Sequence, residues 1–99
     1  MKTKRQEIFN KYKGHCAYCG CRLKTNTMTI DHLKPQSKGG NSDIDNLMPA
    51  CRSCNATKAD GDIELLRIAL AWPTLNVTQL QSFQKVRKAA KKYKFYFEN

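Results

Sequence analysis

Apolar positions in the first half of the chain follow short patterns that are separated by turn residues. Residues 3–12 place apolar side chains at helical spacing and stop at Gly14, which predicts a short helix. Residues 27–33 alternate in polarity and include β-branched side chains, so we expect a strand there. The apolar segment 47–50 is expected to pair back on that strand, and a short helix is predicted from residue 52 or 53 to about 59.

The second half of the chain has the apolar spacing of helices. One helix is expected to start near Asp60 and Asp62, because acidic residues favour the first turn, and to end at Trp72-Pro73. The residues predicted for its buried face are Ile63, Leu65, Leu66, Ala69 and Leu70.

A second helix is predicted after residue 78, where Thr78 and Gln81 have the spacing of a capping box. Apolar residues then recur at steps of three and four, and we expect this stripe to pack as core. The stripe consists of Leu80, Phe83, Val86, Ala90, Tyr93 and Phe97. The rest of this helix is basic and carries Lys85, Arg87, Lys88, Lys91, Lys92 and Lys94.

Length and charge narrow the class of protein. The 99 residues predict one domain over 1–99, with a small core that needs a staple such as a metal ion. A formal net charge of +10 indicates a polyanionic partner, and basic residues spread over both ends favour nucleic acid over a membrane. No apolar run approaches the roughly 20 residues that span a bilayer, and no secretory signal is predicted. We therefore expect a cytoplasmic protein, in which disulfides are uncommon.

Four cysteines form two pairs, Cys16-x-x-Cys19 and Cys51-x-x-Cys54, which 31 residues separate. Two intervening residues let both thiolates of a pair reach one ion, and four thiolates make the closed tetrahedral site of structural zinc. A redox or disulfide pair and an iron–sulfur cluster are the alternatives, but two such pairs in a short basic chain favour zinc. We therefore expect zinc binding to be coupled to folding rather than to catalysis.

Two residues beside the cysteine pairs are left over. Cys21 is interpreted as a free, partly buried thiol. His15 is interpreted as a solvated or phosphate-facing side chain, because four cysteines already fill a tetrahedral shell.

A second group of polar residues lies within the cysteine frame. Asp31 and His32 fall on the predicted strand, Asn46 follows a glycine-containing loop, and Asn55 follows the last cysteine. Alone, each has an ordinary explanation as a surface, turn or helix-capping residue. Together, from about residue 16 to residue 58, their order and spacing resemble the HNH nucleases, also called ββα-metal or His-Me finger nucleases. The four-cysteine HNH proteins of phages and restriction systems and the HNH domain of RNA-guided CRISPR nucleases share this pattern.

The resemblance implies an α+β fold. Its core would be a small ββα-metal finger over about residues 15–60, with a structural four-cysteine zinc site. An N-terminal helix and two C-terminal helices would flank this core, and the two C-terminal helices would form an extension over residues 61–99.

The resemblance also implies catalytic roles. His32 would be the general base, because a neutral imidazole takes up a proton near neutral pH. Asp31 and Asn55 would bind one catalytic divalent ion, and their oxygen atoms suit Mg²⁺ or Mn²⁺. Asn46 would hold the His32 strand in place by hydrogen bonds across the long loop. Some relatives have His where this chain has Asn55, a difference that favours hard cations.

The implied reaction is metal-dependent hydrolysis of DNA phosphodiester bonds to a 5′ phosphate and a 3′ hydroxyl. Lys58 matches a family lysine that contacts phosphate, and Lys34, Lys38 and Arg52 are further candidates that lie nearby in sequence. The basic C-terminal helix either follows a DNA backbone or is a solvated surface. Double-stranded DNA is the expected substrate, cut by nicking or on both strands, and a homodimer or a protein partner stays open.

Two other functions stay open as well. A non-catalytic zinc finger would bind nucleic acid without turnover, although the presence of Asp31, His32 and Asn55 argues against it. A nuclease subunit of a phage packaging or host-defence complex would be active only with its partner.

Overall fold

A computed structural model describes residues 3–59, 61 and 63–99 of the chain. Its helices in chain order are α1 (Lys4–Asn10), α2 (Arg52–Lys58), α3 (Ile63–Ala71) and α4 (Phe83–Ala90). Its strands are β1 (Thr29–His32) and β2 (Leu47–Ala50), and short 3-10 turns connect several of these elements. The predicted α+β fold is thus confirmed, with one helix before the hairpin and two after the ββα core.

The hairpin is antiparallel and pairs Asp31 with Met48 and His32 with Leu47. Ile30 faces Pro49, which lacks a backbone donor but is tolerated because each strand of a two-stranded sheet keeps one open edge. All of β2 is buried. The strand signals in the sequence therefore identified both strands, and their pairing places the Asp31-His32 dipeptide next to the long connecting loop.

Helix α2 begins directly after β2 and packs on β1. The thiol sulfur of Cys51 accepts a hydrogen bond from the backbone N–H of Cys54 at 3.4 Å, which caps the start of the helix. The start is therefore fixed by a residue that also belongs to the cysteine frame. This arrangement completes a β-hairpin followed by a helix, as expected.

The core centres on the first cysteine pair rather than on the helices. Tyr18 is 1% exposed and Phe95 is 0% exposed, and both belong to one buried cluster. The other buried members of that cluster are Cys16, Ala17, Met48, Ala50, Cys54 and Leu66. A second cluster of Ile8, Met28 and Leu47 fixes α1 against the hairpin.

The N-terminal helix matches the prediction except at its end. The hydroxyl of Thr3 and the side chain of Gln6 form a reciprocal capping box at its start. Helix α1 ends at Asn10 rather than at residue 12, and Gly14 follows with a φ of +83° that suits glycine.

Helix α3 ends at Ala71, directly before the stop predicted at Trp72-Pro73, and Trp72 opens a 3-10 turn. Its buried face is narrower than expected, since Leu66 is buried but Leu65 is 57% exposed and Ala69 is also exposed. The helical pattern therefore overestimated the core contact of α3. The start predicted at Asp60 and Asp62 lies outside the described residues.

The two predicted C-terminal helices are present, but the second is shorter than its apolar stripe predicted. Thr78 makes no side-chain cap, and α4 instead begins after Ser82, whose hydroxyl accepts a hydrogen bond from the backbone N–H of Lys85 at 3.2 Å. Leu80 and Phe83, assigned to the buried stripe, are 39% and 63% exposed. The reciprocal bonds expected around Thr78 are made two residues earlier, between Asn76 and Gln79.

The helix also ends early, at Ala90, and residues 93–99 turn back onto the first cysteine pair. The backbone N–H groups of Tyr96 and Phe97 donate to the carbonyl oxygens of Tyr18 and Ala17 at 3.0 and 2.8 Å. Burial of the Phe95 ring in that position overrides the helical pattern of the sequence. We call residues 93–99 the C-terminal tail. None of the helices in the described ranges is long and apolar enough to cross a membrane.

Candidate active site and metal centre

The four paired cysteines meet at one point. One ligand atom from each of Cys16, Cys19, Cys51 and Cys54 lies within 4.8 Å of every other. The sulfur atoms of Cys19 and Cys51, which come from different pairs, are 3.8 Å apart. The arrangement is therefore suited to hold one metal ion between the two knuckles.

The electrostatics of this cluster favour a thiolate. A hydrogen bond with Cys54 lowers the pKa of Cys16 to about 4, and the same contact raises the pKa of Cys54. Thiolates, not thiols, are the species that bind metal ions. Neighbouring thiolates repel one another, so a cation shared by the four sulfur atoms would allow more of them to be deprotonated.

The two left-over residues of this region have specific positions. The ring Nδ1 of His15 lies 3.0 Å from the carbonyl oxygen of Gly20, and the ring stacks on Tyr96 with centroids 5.2 Å apart. His15 is thus fixed within the first knuckle rather than solvated. Cys21 is a free thiol, as predicted, but it is exposed rather than partly buried.

Asp31 is buried at the centre of a polar cluster. Its Oδ2 accepts a hydrogen bond from the hydroxyl of Tyr18 at 2.5 Å and lies 3.1 Å from the ammonium nitrogen of Lys58. Burial and the Asp31 carboxylate raise the pKa of Tyr18, so its hydroxyl remains the donor. The Asp31 carboxylate therefore has a fixed direction and a counterion inside the protein.

His32, next in the strand, faces a polar cavity. Asp31, His32 and Lys58 line a cavity of about 190 Å³ together with Ile30, Pro35, Gln36, Ser37 and Ala59. The Nε2 atom of His32 lies 3.2 Å from the hydroxyl oxygen of Ser42, in the loop. The cavity thus brings a histidine and a carboxylate to one small volume that is open to solvent.

Asn46 makes the hydrogen bonds that were predicted for it. Its amide oxygen accepts from the backbone N–H of Lys34 at 2.8 Å, and its amide nitrogen donates to the carbonyl oxygens of Lys34 and Asn41 at 3.1 and 2.7 Å. The backbone of Asn46 also accepts from the N–H of Leu33 at 2.9 Å. The loop is thereby fastened to the residues that directly follow His32.

The remaining predicted site residues lie apart from this cavity, with one exception. Asn55 is half-buried, three residues before Lys58 on the same face of α2, but it is not among the described residues that line the cavity. Lys34, Lys38 and Arg52 are exposed. Lys58 is the exception, because its ammonium is directed inward to Asp31 and donates to the carbonyl oxygen of His32 at 2.9 Å.

Comparison with known proteins agrees with this geometry. The family model of the HNH endonucleases matches residues 16–61, which contain both cysteine pairs, the hairpin and α2. Residues 16–61, which we call the HNH segment, are therefore similar to that family.

Two curated relatives match part of this chain over short stretches of longer proteins. The CRISPR-associated endonuclease Cas9 of Actinomyces naeslundii is 37% identical over 46 residues, or 46% of this chain and 4% of the relative. YoqL, an SPbeta prophage-derived protein of Bacillus subtilis that is named as an HNH endonuclease, is 33% identical over 64 residues. That alignment covers 56% of this chain and 27% of the relative. The chain thus spans well under half the length of either relative.

A solved structure shares the fold beyond the HNH segment. The crystal structure of the Type II-C Cas9 enzyme from Actinomyces naeslundii matches 89% of this chain and 12% of that protein, with a TM-score of 0.58 and 22% identity. The shared fold therefore extends well outside residues 16–61.

Three polar contacts in the HNH segment have no signature in its sequence. Tyr18 occupies a spacer position between two cysteines, and nothing in the sequence marks it as a partner of Asp31. Ser42 lay in polar turn sequence and carried no signal for a contact with His32. The inward direction of Lys58 has no sequence signature either, because a helical lysine usually extends to solvent.

Proposed function

We propose that this protein is a metal-dependent HNH endonuclease that hydrolyses phosphodiester bonds of DNA. The observation that carries the proposal is the pair Asp31 and His32 at one polar cavity, inside a segment that matches the HNH family. Residues 15–60 would be the catalytic core and residues 61–99 a helical extension. Contacts of the C-terminal tail with Tyr18 support treating both parts as one domain.

Zinc fits the cysteine cluster. Sulfur ligands about 2.3 Å from a tetrahedral zinc ion are about 3.8 Å from one another. The 3.8 Å between Cys19 and Cys51 agrees with that value, and every described ligand atom of the cluster lies within 4.8 Å of the others. Four sulfur ligands leave no open position, so we assign this ion to folding.

A catalytic Mg²⁺ or Mn²⁺ ion fits the donor chemistry of Asp31 and Asn55. Both side chains offer oxygen atoms, the ligands that these ions prefer. Asp31 already has the Lys58 ammonium beside it, so a divalent ion would compete with that ammonium for the carboxylate oxygens. The ion, when bound there, would stabilise the negative charge that develops on the phosphate and on the leaving 3′ oxygen.

His32 would act as the general base. His32 lines the cavity, and its Nε2 atom contacts Ser42, a weak partner that can give way to water. The imidazole would take a proton from the water that attacks phosphorus. Asn46 would support this step by fastening the loop that carries Ser42 to the end of β1.

The exposed basic residues would form the DNA-binding surface. Lys34, Lys38 and Arg52 are exposed near the loop and α2, and the whole chain carries a net charge of +10. Phosphate contacts of this kind give affinity without reading sequence. Lys58 would reach phosphate only by leaving Asp31. A double-stranded substrate, a cytoplasmic location and a homodimer or protein partner remain predictions.

A plasmid assay tests the proposal. Zinc-loaded protein is incubated with supercoiled plasmid, with and without Mg²⁺ or Mn²⁺. We expect metal-dependent nicking by the wild type and a loss of about a hundredfold or more in His32→Ala. The control is His15→Ala, which removes the other histidine of the chain, with zinc content and circular dichroism as checks of folding.

The same assay tests the non-catalytic and the partner-dependent alternatives. The Lys58 ammonium next to Asp31 is the observation that favours a non-catalytic module, because an occupied carboxylate resists a second cation. Intact DNA binding without cutting, with either ion, would contradict free-standing nuclease activity. Cutting that appears only after a co-purifying protein is added back would point instead to the partner-dependent subunit.

A further inference from the structure

Tyr18 lies between Cys16 and Cys19 in the first knuckle, and its hydroxyl forms a hydrogen bond with a residue of β1. The hydroxyl donates to Oδ2 of Asp31 at 2.5 Å, across from the knuckle to β1. The residue is 1% exposed, and Asp31 is 6% exposed. A hydrogen bond to a carboxylate in such a buried place is strong and directional. One residue therefore connects the cysteine frame to the candidate catalytic carboxylate.

The C-terminal tail holds the ring of Tyr18 in place. Phe95 and Phe97 contact it edge-on, with ring centroids 5.3 and 6.0 Å away. The backbone of the tail bonds to the carbonyl oxygens of Ala17 and Tyr18. The Arg67 guanidinium lies over the ring of Phe95, 4.2 Å from its centroid. The tail lies outside residues 16–61, the part that matches the HNH family model.

These contacts leave the Asp31 carboxylate little freedom. Tyr18 fixes Oδ2, and the Lys58 ammonium lies 3.1 Å from Oδ2 and 3.4 Å from Oδ1. Groups that hydrogen-bond to a metal-binding side chain set its direction, and their loss typically weakens metal binding by about 10- to 100-fold. Tyr18 satisfies this description for Asp31.

We infer that Tyr18 is a positioning residue for the Asp31 carboxylate, and that the C-terminal tail contributes to the active site by seating the Tyr18 ring. The inference rests on the proposed role of Asp31 as a ligand of a divalent ion. It gives residues 61–99 a function in the site, although none of the described residues in that range lines the cavity.

The test is Mn²⁺ binding to the zinc-loaded Tyr18→Phe protein, measured by electron paramagnetic resonance and by calorimetry. The substitution keeps the ring and its contacts with the tail, and removes only the hydroxyl. We expect the Kd for Mn²⁺ to rise about tenfold, with unchanged zinc content and circular dichroism. The matched control is Tyr12→Phe, because the Tyr12 hydroxyl donates to the sulfur of Met48 at 3.8 Å and not to a carboxylate. A Kd within twofold of the wild type for Tyr18→Phe would overturn the inference.

Asp31→Asn separates this inference from the proposed function. If the wild type binds Mn²⁺, Asp31→Asn does not, and Tyr18→Phe matches the wild type, then only the positioning role fails. If the wild type binds no Mn²⁺, or Asp31→Asn binds it equally well, the proposed metal site itself fails and the inference falls with it.

The tail is tested by Phe97→Leu, because Phe97 is half-buried and its replacement remains apolar. We expect weaker Mn²⁺ binding in the same direction as Tyr18→Phe, at full zinc occupancy. Tyr96→Leu is the control, since Tyr96 stacks on His15 instead of on Tyr18. If Phe97→Leu and the wild type bound Mn²⁺ with equal affinity, the tail would not contribute to the Asp31 site.

Discussion

The ammonium nitrogen of Lys58 lies 3.1 Å from Oδ2 of Asp31, with 0% and 7% of the two side chains exposed. A buried carboxylate without a counterion is costly, so the two residues stabilise each other in the folded state. A divalent ion at Asp31 would compete for the same oxygen atoms. The pair therefore connects the stability of the protein to its proposed cofactor.

Lys58→Met tests this relationship, because methionine keeps most of the side-chain volume but not the charge. Without added Mg²⁺ or Mn²⁺, we expect the free energy of unfolding to fall by about 3 kcal/mol, since Asp31 loses its buried counterion. With millimolar Mn²⁺, part of this loss should be recovered because the ion binds the folded state. Urea titrations of zinc-loaded protein measure both values.

Lys34→Met is the control for Lys58→Met. Lys34 is exposed, so its replacement should change stability by less than about 0.5 kcal/mol, with or without Mn²⁺. A Lys58→Met protein as stable as the wild type, or one indifferent to Mn²⁺, would contradict the competition at Asp31.

Removal of zinc should unfold the protein. Structural zinc contributes roughly 10 kcal/mol or more in small zinc domains, which is comparable to the entire stability of most folded domains. The fold here is organised around the cysteine cluster, since Cys16 and Cys54 belong to the main core. We expect a strong chelator to abolish the helical circular dichroism signal and added zinc to restore it.

Two serine variants refine the zinc experiment. Cys54→Ser should lower zinc content and folding, because Cys54 is a member of the cluster. Cys21→Ser should leave both unchanged, because that thiol is exposed and outside the cluster. A fully helical spectrum after verified loss of zinc would exclude a folding role for the metal.

Local signals predicted the ββα core well. The strand over Thr29–His32, its partner Leu47–Ala50 and helix α2 follow from alternation, short apolar runs and the spacing of cysteines. These signals are reliable here because one cysteine pair precedes β1 and the other follows β2. The two pairs converge at one site and so bring both ends of the hairpin together. The positions of Asp31 and His32 on one strand followed directly.

The C-terminal half was predicted less well, for a physical reason. Residues 83–97 carry a helical apolar pattern, but the pattern does not reveal that the knuckle offers Phe95 a buried position. Tertiary burial of one aromatic ring outweighs the small differences in helix propensity over a few residues. The contact of Tyr18 with Asp31 depends on the same packing, so the sequence could not reveal it either.

Gly40 is expected to be essential for the loop that carries Ser42. A Cβ atom at Gly40 would lie 1.8 Å from the carbonyl oxygen of Lys34 and 2.9 Å from that of Pro35, and both are backbone atoms. Gly40→Ala must therefore move the loop away from β1 and disturb the contact between Ser42 and His32. We expect a large loss of plasmid nicking while zinc content stays normal.

Gly39→Ala is the matched control for Gly40→Ala. Its φ of +88° makes alanine strained by about 1 kcal/mol, but the nearest side-chain atom to a new Cβ is 3.9 Å away. Gly39→Ala should thus lower stability slightly and keep most of the nicking. Equal activities of the two variants would show that the close approach of Gly40 to Lys34 does not matter for the site.

Glu98 should stabilise the C-terminal tail through its charge. Its two carboxylate oxygens accept hydrogen bonds from the Arg67 guanidinium at 2.6 and 2.9 Å, and one of them also accepts from the backbone N–H of Phe95 at 2.8 Å. Arg67 lowers the pKa of Glu98. Its contribution is therefore complete above the ordinary glutamate pKa of about 4.3, and it disappears as the pH falls through the lower folded value.

Glu98→Gln should accordingly cost about 1 kcal/mol of unfolding free energy, with the same value at about pH 6 and about pH 7.5, because both lie above that range. Loss of the Glu98 contacts should also weaken Mn²⁺ binding, because the tail holds the Tyr18 ring in place. The control is Arg87→Gln, which breaks a pair with Glu64 whose side chains are 46% and 47% exposed. An exposed pair contributes only about 0.3 kcal/mol. If the two variants lost equal unfolding free energy, the bidentate Arg67–Glu98 pair would hold the tail no better than a surface ion pair does.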